Sequence, residues 1–210
     1  PSEFPLHART PAHDLRIGAD WVSFGTVGSA PNAADLDGGR RTGNRKDFDD
    51  FLRLAQVLDV IHLVAGYPVE PIDLHPSIRH IDALHDELVL TDKAVHCYSL
   101  GRQKNIDSLE MVRLAFGYTE AELDTHPSIF SIVNSNSPLK LDGPMLQGII
   151  EFSSHNQIIC ITPFTLAGAM APVTIAGALA EQNAEALAGI VMTQVVRPGA
   201  PVIYGGFTSN

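Results

Sequence analysis

The chain has 210 residues, of which 45% are hydrophobic and 18% charged, a composition typical of a folded protein rather than of a disordered one. Fourteen basic residues stand against 24 acidic ones, and the resulting net charge of -10 excludes a generally basic nucleic-acid-binding protein. The two cysteines, Cys97 and Cys160, lie in apolar runs, which excludes a disulfide framework and favours the reducing cytoplasm.

No segment has the sequence pattern of a signal peptide or of a membrane-spanning helix. The N-terminal region lacks the charged start and the apolar stretch of a signal peptide. Residues 172–196 are mostly apolar, but Glu181 and Glu185 lie in their middle, so a buried helix is the better interpretation. Because the chain starts at Pro1 without Met and stops at Asn210 just after an apolar run, we expect a longer parent polypeptide.

In chain order, residues 1–45 are interpreted as an N-terminal extension with one possible strand at 21–25, and helical and strand patterns alternate after it. Helices are predicted over 47–58, 78–88 and 172–196, with a further helix between a cap at Asn105 or Asp107 and Gly117, and another that starts at Asp142 and Pro144. Strands are predicted at 61–64, 94–98, 128–134, 157–162 and 200–206. The expected caps are Asn44, Asn105 or Asp107, Thr119 with Glu122, and Asp142, with Gly117 as a left-handed helix end.

Successive predicted strands start about 30 to 45 residues apart, which is enough for a right-handed crossover through a helix. Their continuous apolar runs indicate burial on both faces, so the sheet should be parallel. The fold class is therefore α/β. Five βα units are too few to close a barrel, so the chain is either part of one or a smaller doubly wound sheet. We predict the former: a (β/α)8 TIM barrel, present here over residues 46–210 as a partial barrel of about five βα units.

Candidate site residues follow from the rule that active sites in parallel α/β folds lie at the carboxyl ends of the strands. The residues there are aromatic, amide and hydroxyl in character and nearly free of formal charge. Aromatic faces and neutral dipoles suit an ammonium ligand. The substrate-binding candidates are Tyr98, Asn134, Asn136, Thr162, Phe164, Tyr204 and Phe207, and no catalytic residue is assigned.

The sequence lacks, at the predicted strand ends, the residues that several common classes of barrel enzyme need for catalysis. No lysine follows a strand directly, as a Schiff-base enzyme requires. His80 and His85 are wrongly spaced for a shared helix face, and no metal site is predicted. The glycines at 38–43 precede a helix without a strand before them, which does not indicate a phosphate-binding loop.

Four segments resemble the trimethylamine methyltransferase family of corrinoid-dependent enzymes. They are SPLKLD at 137–142, ITPFTLAGAMAPVTIAGALAEQNAEALAGIVMTQVVRPGAPVIYGG at 161–206 and, more loosely, LDGGRRTG at 36–43 and LTDKAV at 90–95. The resemblance implies a barrel about twice this length. It also implies transfer of a methyl group from trimethylamine, or from a quaternary amine such as glycine betaine, to the cobalt of a corrinoid protein.

The corrinoid (cobalamin) cofactor would be carried by that partner protein and not bound directly by this chain. Members that act on trimethylamine carry pyrrolysine later in the barrel, beyond the residues present here. We expect a small methylated amine as substrate, a homo-oligomer, and no nucleic-acid or membrane partner. Two alternatives stay open: a non-catalytic barrel that binds methylamines or docks a corrinoid protein, and an unrelated aldolase-like or phosphate-binding barrel.

Overall fold

The computed structural model describes residues 3–18 and 20–209 as a mixed α/β architecture. Within these ranges the strands are β1 (Glu3–Leu6), β2 (Leu15–Gly18), β3 (Asn32–Asp35), β4 (Gly39–Thr42), β5 (Val95–His96), β6 (Ile129–Ser135), β7 (Ile158–Leu166), β8 (Val202–Tyr204) and β9 (Phe207–Ser209). The α-helices are α1 (Arg45–Val57), α2 (Arg79–Leu90), α3 (Arg102–Phe116), α4 (Glu120–Leu123), α5 (Gly143–Ser154) and α6 (Ile175–Val196).

The central sheet is parallel, which confirms the predicted α/β class. Strands β5, β6, β7 and β8 are neighbours in that order, and β9 pairs with the carboxyl end of β7. Leu63 extends the array through single parallel bridges to Gly25 and to Ala94. The order of segments in the sheet therefore follows their order in the chain, with helices as the longer connections.

The predicted strand at 61–64 is reduced to the bridges of Leu63, and the possible strand at 21–25 to the bridge of Gly25. Immediately after the first of these segments, Gly66 adopts φ +121°, a conformation that side-chain-bearing residues rarely adopt. The chain bends there instead of continuing the ladder.

Residues 3–42 contain two antiparallel hairpins, β1–β2 and β3–β4, that the sequence pattern did not predict. Leu6 and Ala8 of the first hairpin pack with Ala94, Phe130 and Ile158 at the amino-terminal half of the sheet. This hairpin covers one face of the sheet, whereas α3, α5 and α6 cover the other face through a separate apolar cluster.

Locally encoded helix ends are confirmed. Asn44 accepts a hydrogen bond from the Asp47 amide at 2.9 Å, and Asp142 accepts one from the Met145 amide at the same distance. Thr119 and Glu122 form both bonds of a capping box, and Gly117 ends α3 at φ +68°.

Two predicted boundaries are wrong because tertiary contacts override local signals. Helix α3 begins at Arg102, and Asn105 is fully buried inside it rather than capping it. Asp107 instead contacts His80 of α2. Strand β7 continues to Leu166 instead of ending at 162, because β9 supplies a pairing partner for its last residues.

Gln157 ties together segments that are distant in sequence. It is fully buried just before β7, and its Oε1 accepts hydrogen bonds from the amides of Ser128 and Ile129 at 2.8 and 3.2 Å. Its Nε2 donates to the carbonyls of Leu123 and His155 at 2.7 and 2.9 Å. The Gln157 side-chain amide thus pairs with backbone groups at the start of β6, as the peptide groups of a neighbouring strand would.

Lys93 ties α1 to the sheet. Its side chain lies in the interior, since the residue is only 4% exposed. The Nζ donates hydrogen bonds to the carbonyls of Ala55, Leu58 and Ile61 at 2.7, 2.9 and 2.6 Å. The ammonium therefore holds the last turn of α1, through the carbonyl of Ala55, to the segment that follows it, through the carbonyls of Leu58 and Ile61.

We expect Gly148→Ala to lower the free energy of unfolding by about 2 kcal/mol, although alanine is the better helix former. A Cβ at Gly148 of α5 would lie 1.7 Å from Ser99 Oγ and 2.6 Å from Ser99 Cβ, so the helix would have to move. Urea denaturation measures the change. The control is Gly143→Ala on the same helix, where a Cβ meets no atom within 4 Å and we expect no loss. Equal stability of the two variants would contradict the close packing of α5.

Candidate functional site

The candidate site lies on the face of the central sheet that carries Phe130, Ile132 and Asn134 of β6, here called the helix-free face. Residues paired across parallel strands point to the same side, and Asn134 is in register with Thr162 of β7. Helices contribute nothing to the apolar cluster on this face. The β1–β2 hairpin covers its amino-terminal half, and the carboxyl half, with Asn134, is exposed.

Four of the predicted site residues come together on the helix-free face. They are Asn134, Thr162, Phe164 and Phe207. Phe164 and Phe207 are in register on β7 and β9, and their rings stack with centroids 4.7 Å apart and an interplanar angle of 14°. Phe207 remains 57% exposed. The result is an uncharged surface with two aromatic faces at the carboxyl ends of the strands.

Two predicted residues are placed elsewhere. Tyr204 is in register with Ile161, whose side chain packs against Gly189 of α6, so Tyr204 lies on the helix-covered side of the sheet. Asn136 lies in the loop after β6, where its Oδ1 accepts a hydrogen bond from the Asp142 amide at 3.1 Å. The structure does not bring either side chain to the pair of stacked rings.

The Tyr98 hydroxyl links the segment that follows β5 to two neighbouring segments, at Ser29 and at Tyr67. Its hydroxyl lies 2.5 Å from Ser29 Oγ and accepts a hydrogen bond from the Tyr67 amide at 3.1 Å. Burial raises the pKa of Tyr98, which keeps the phenol neutral at physiological pH. The close approach depends on Gly66, where a Cβ would lie 2.9 Å from the Tyr98 hydroxyl.

The His96 ring packs against the ring of Tyr98. Its ring is fully buried and packs edge-on against Tyr98 and Phe130, with centroid separations of 4.6 and 5.2 Å. Desolvation lowers the pKa of His96 to about 3, so the ring is neutral and its Nε2 can accept a hydrogen bond from the Ile132 amide at 3.2 Å. His96 is thus a structural histidine.

Cys160 is the only cysteine on the helix-free face within the described ranges, and it lies two residues before Thr162. Burial raises the pKa of its thiol to about 11, so the thiolate is scarce at neutral pH. The Thr162 hydroxyl donates to the Cys160 carbonyl at 3.2 Å. No strong nucleophile therefore faces the stacked rings from this position.

A second part of the same sheet edge is charged, which the sequence pattern did not predict. A cavity of about 370 Å³ opens between the segments that follow Leu63 and β5. Its lining residues are Tyr67, Glu70, Pro76, Arg79, His80, Tyr98, Leu100 and Lys104. The His80 Nε2 lies 3.0 Å from Asp107 Oδ2, and this contact joins α2 to α3 beside the cavity.

Glu185 of α6 is a further residue that sequence reasoning missed. It is 4% exposed, and its carboxylate accepts hydrogen bonds from Ser135, Ser137 and the Leu139 amide. The pattern offered one signal: an acid in the middle of an otherwise apolar helix needs a buried partner. By sequence alone, Glu185 argues only against a membrane-spanning helix.

Two negative observations apply to the described residues alone. No three or more His, Cys, Asp or Glu side chains in these ranges are grouped so that they could hold a metal ion. None of the helices combines the length and apolar composition needed to cross a bilayer.

Comparison with known proteins gives a consistent result over the whole chain. The family profile "Trimethylamine methyltransferase (MTTB)" matches residues 1–210. A glycine betaine methyltransferase of Desulfitobacterium hafniense is 36% identical over 98% of this chain and 43% of its own length.

A trimethylamine methyltransferase MttB of Desulfitobacterium hafniense is 26% identical over 100% of this chain and 42% of its own length. An MttB of Methanosarcina barkeri is 33% identical over 48% of this chain and 20% of its own length. The chain thus spans less than half the length of these relatives. Because the family profile covers every residue, the chain belongs to the trimethylamine methyltransferase family.

Proposed function

We propose that the protein containing this chain transfers a methyl group from trimethylamine or a quaternary amine such as glycine betaine to the cobalt of a partner corrinoid protein. The observation that carries the proposal is the family match over all 210 residues. The 36% identity to a glycine betaine methyltransferase supports a quaternary amine. The uncharged helix-free face, with its stacked rings, is compatible with an ammonium ligand.

We further propose that this chain forms the first part of a (β/α)8 barrel. Six parallel segments, from Gly25 through Leu63, β5, β6 and β7 to β8, follow one another in chain order. Sequential parallel neighbours joined through helices are the arrangement of such a barrel. The division into an N-terminal extension over 1–45 and a barrel over 46–210 stays a prediction.

The residues of this chain would act by binding and orientation. The faces of Phe164 and Phe207 would contact the methylated ammonium, and the neutral Asn134 and Thr162 side chains would orient it. When the C–N bond breaks, its electron pair stays on nitrogen, and the methyl acceptor must supply the pair for the new bond.

The residues described fit an acceptor that comes from outside the chain. The nearby Cys160 thiol is held largely protonated by a pKa of about 11, so it does not compete for the methyl group. A corrinoid on the partner protein would supply the low-valent cobalt nucleophile. In a closed barrel the carboxyl ends of the strands form the mouth, which is where such a partner would approach.

The test uses the full-length enzyme with a reduced corrinoid protein and, in separate reactions, glycine betaine and trimethylamine. Methylation of cobalt is followed by its absorption spectrum. We expect transfer from one of the two amines. In Phe164→Ala we expect KM for that amine to rise about tenfold, since one cation–π contact and its packing are lost. The control is Phe116→Ala on α3, which lies away from this face and should leave KM unchanged.

Failure of the wild-type enzyme to methylate the corrinoid with either amine would reject the proposed reaction. The same experiment tests a second candidate function, that of a non-catalytic barrel that binds methylated amines. Binding of an amine measured by calorimetry, without any methyl transfer, would favour that alternative.

A further inference from the structure

We infer that Glu185 is a positioning residue for the proposed methyl transfer: it fixes the loop of residues 136–142 and, through Ser135, the orientation of Asn134. This inference rests on the proposed function. It concerns a residue that lies on the opposite side of the sheet from the candidate substrate surface and therefore acts through other groups.

The Glu185 carboxylate gathers three donors from one short stretch of chain. Its Oε2 accepts hydrogen bonds from the hydroxyls of Ser135 and Ser137, the latter at 2.7 Å. Its Oε1 accepts one from the Leu139 amide at 2.5 Å. The two bonds from the serine hydroxyls lie where water has little access, since Glu185 and Ser135 are each 4% exposed and Ser137 is 9% exposed. Buried bonds to a charged acceptor are among the stronger ones in proteins.

The loop conformation needs such an anchor. Leu139 adopts φ +54°, a left-handed conformation that is costly for a residue with a branched side chain. This conformation turns its amide toward Glu185. Two further bonds, from the Asn136 amide to the Lys140 carbonyl and from the Asp142 amide to Asn136 Oδ1, close the loop on itself, and Asp142 caps α5. Within the described ranges, Glu185 is the α6 side chain that hydrogen-bonds to the loop.

Apolar packing does not replace those bonds. A cavity of about 120 Å³ lies between the loop and α6, bordered by Leu139, Lys140 and Leu141 on one side and Ala184 and Ala188 on the other. Leu139 itself is 70% exposed. Leu141 makes the apolar contact of the loop with the core, whereas Leu139 and Lys140 border the cavity, which the Glu185 carboxylate spans.

The anchor is one residue away from the candidate site. Successive residues of a strand point to opposite faces, so Ser135 reaches Glu185 while Asn134 faces Thr162. Ser135 is the last residue of β6 and is in register with Pro163. Loss of its bond to Glu185 would free the end of β6 and with it the side chain of Asn134.

The experiment compares Glu185→Ala and Glu185→Gln in the full-length enzyme, with Glu181→Ala as the matched control. Glu181 lies one turn earlier on α6, and its buried Oε1 has no hydrogen-bond partner. Two readouts are taken on folded protein: hydrogen–deuterium exchange of the Leu139 amide, and kcat and KM for methyl transfer.

In Glu185→Ala we expect the Leu139 amide to exchange at least about tenfold faster, with the change confined to the end of β6 and residues 136–142. We expect kcat to fall at least about tenfold with a smaller change in KM, because misorientation affects the transition state more than binding. Glu185→Gln should recover most of both, since its carbonyl oxygen still accepts and the serine hydroxyls can accept from its amide.

Unchanged loop exchange in Glu185→Ala, or unchanged kcat with a loosened loop, would overturn the inference. So would an equal fall in kcat in Glu181→Ala, because the effect would then belong to α6 as a whole. Absence of transfer by the wild-type enzyme is a different result: it rejects the proposed function, and the kinetic role of Glu185 with it, whatever the loop exchange shows.

Discussion

Lys93→Met should lower the free energy of unfolding by about 4 kcal/mol, since three carbonyls lose a charged donor whose residue is only 4% exposed. Methionine has a similar length and fills the same space, so packing changes little. Desolvation already lowers the pKa of Lys93, and the three hydrogen bonds to the end of α1 hold the ammonium in place. Denaturation in urea at pH 7 measures the loss.

Lys46→Met is the matched control for this change. The Lys46 side chain is 82% exposed and pairs only with Asp50 one turn away on α1. Exposed pairs of this kind contribute about 0.5 kcal/mol or less, so the control should stay near the wild-type stability. A loss of less than about 1 kcal/mol in Lys93→Met would mean that the carbonyls find other partners.

Glu87→Gln should stabilise the protein, and the gain should grow with pH. Glu87 is fully buried on α2, and neither carboxylate oxygen has a hydrogen-bond partner among the residues that the structure describes. Burial raises the pKa of Glu87 well above its ordinary value of 4.5, and the neighbouring Asp86 raises it further. The folded protein therefore retains a proton at Glu87 over a range of pH in which the unfolded chain has lost it.

The sign follows from proton binding. Above pH 4.5 the unfolded state binds fewer protons at this position than the folded state, so wild-type stability falls as pH rises toward the folded-state pKa. Glutamine does not titrate, so its advantage should widen by about 1.4 kcal/mol for each pH unit in that window. Comparing the two proteins at each pH cancels the titration of all other groups.

Urea denaturation at several pH values between 5 and 8 makes this comparison. Glu120→Gln, at an exposed position on α4, is the control for removing a carboxylate that is not buried. A constant difference between wild type and Glu87→Gln across the range would mean that Glu87 is ionised in the folded protein.

The features that sequence predicted correctly are those that depend on neighbours in the chain. Asn44 and Asp142 cap their helices through amides three residues away, and Gly117 ends α3 by its own backbone freedom. Strand spacing predicted the parallel sheet, because a crossover through a helix needs a minimum length.

The features that sequence did not predict depend on partners far along the chain. Strand β7 extends to Leu166 only because β9 lies beside it. The side on which Tyr204 lies is set by its register with Ile161, and a strand of three residues carries too little alternation to reveal this. Glu185 meets its three donors across nearly fifty residues of chain, so no local pattern marks it as an anchor.

The buried amide of Gln157 has a consequence for biosynthesis. Ser128 and Ile129 leave the ribosome 29 and 28 residues before the side chain that accepts their amide protons. Until residue 157 emerges, the amides of Ser128 and Ile129 lack the side-chain oxygen that accepts their hydrogen bonds in the folded protein. The nascent chain therefore completes this part of the sheet only after translation has passed α5.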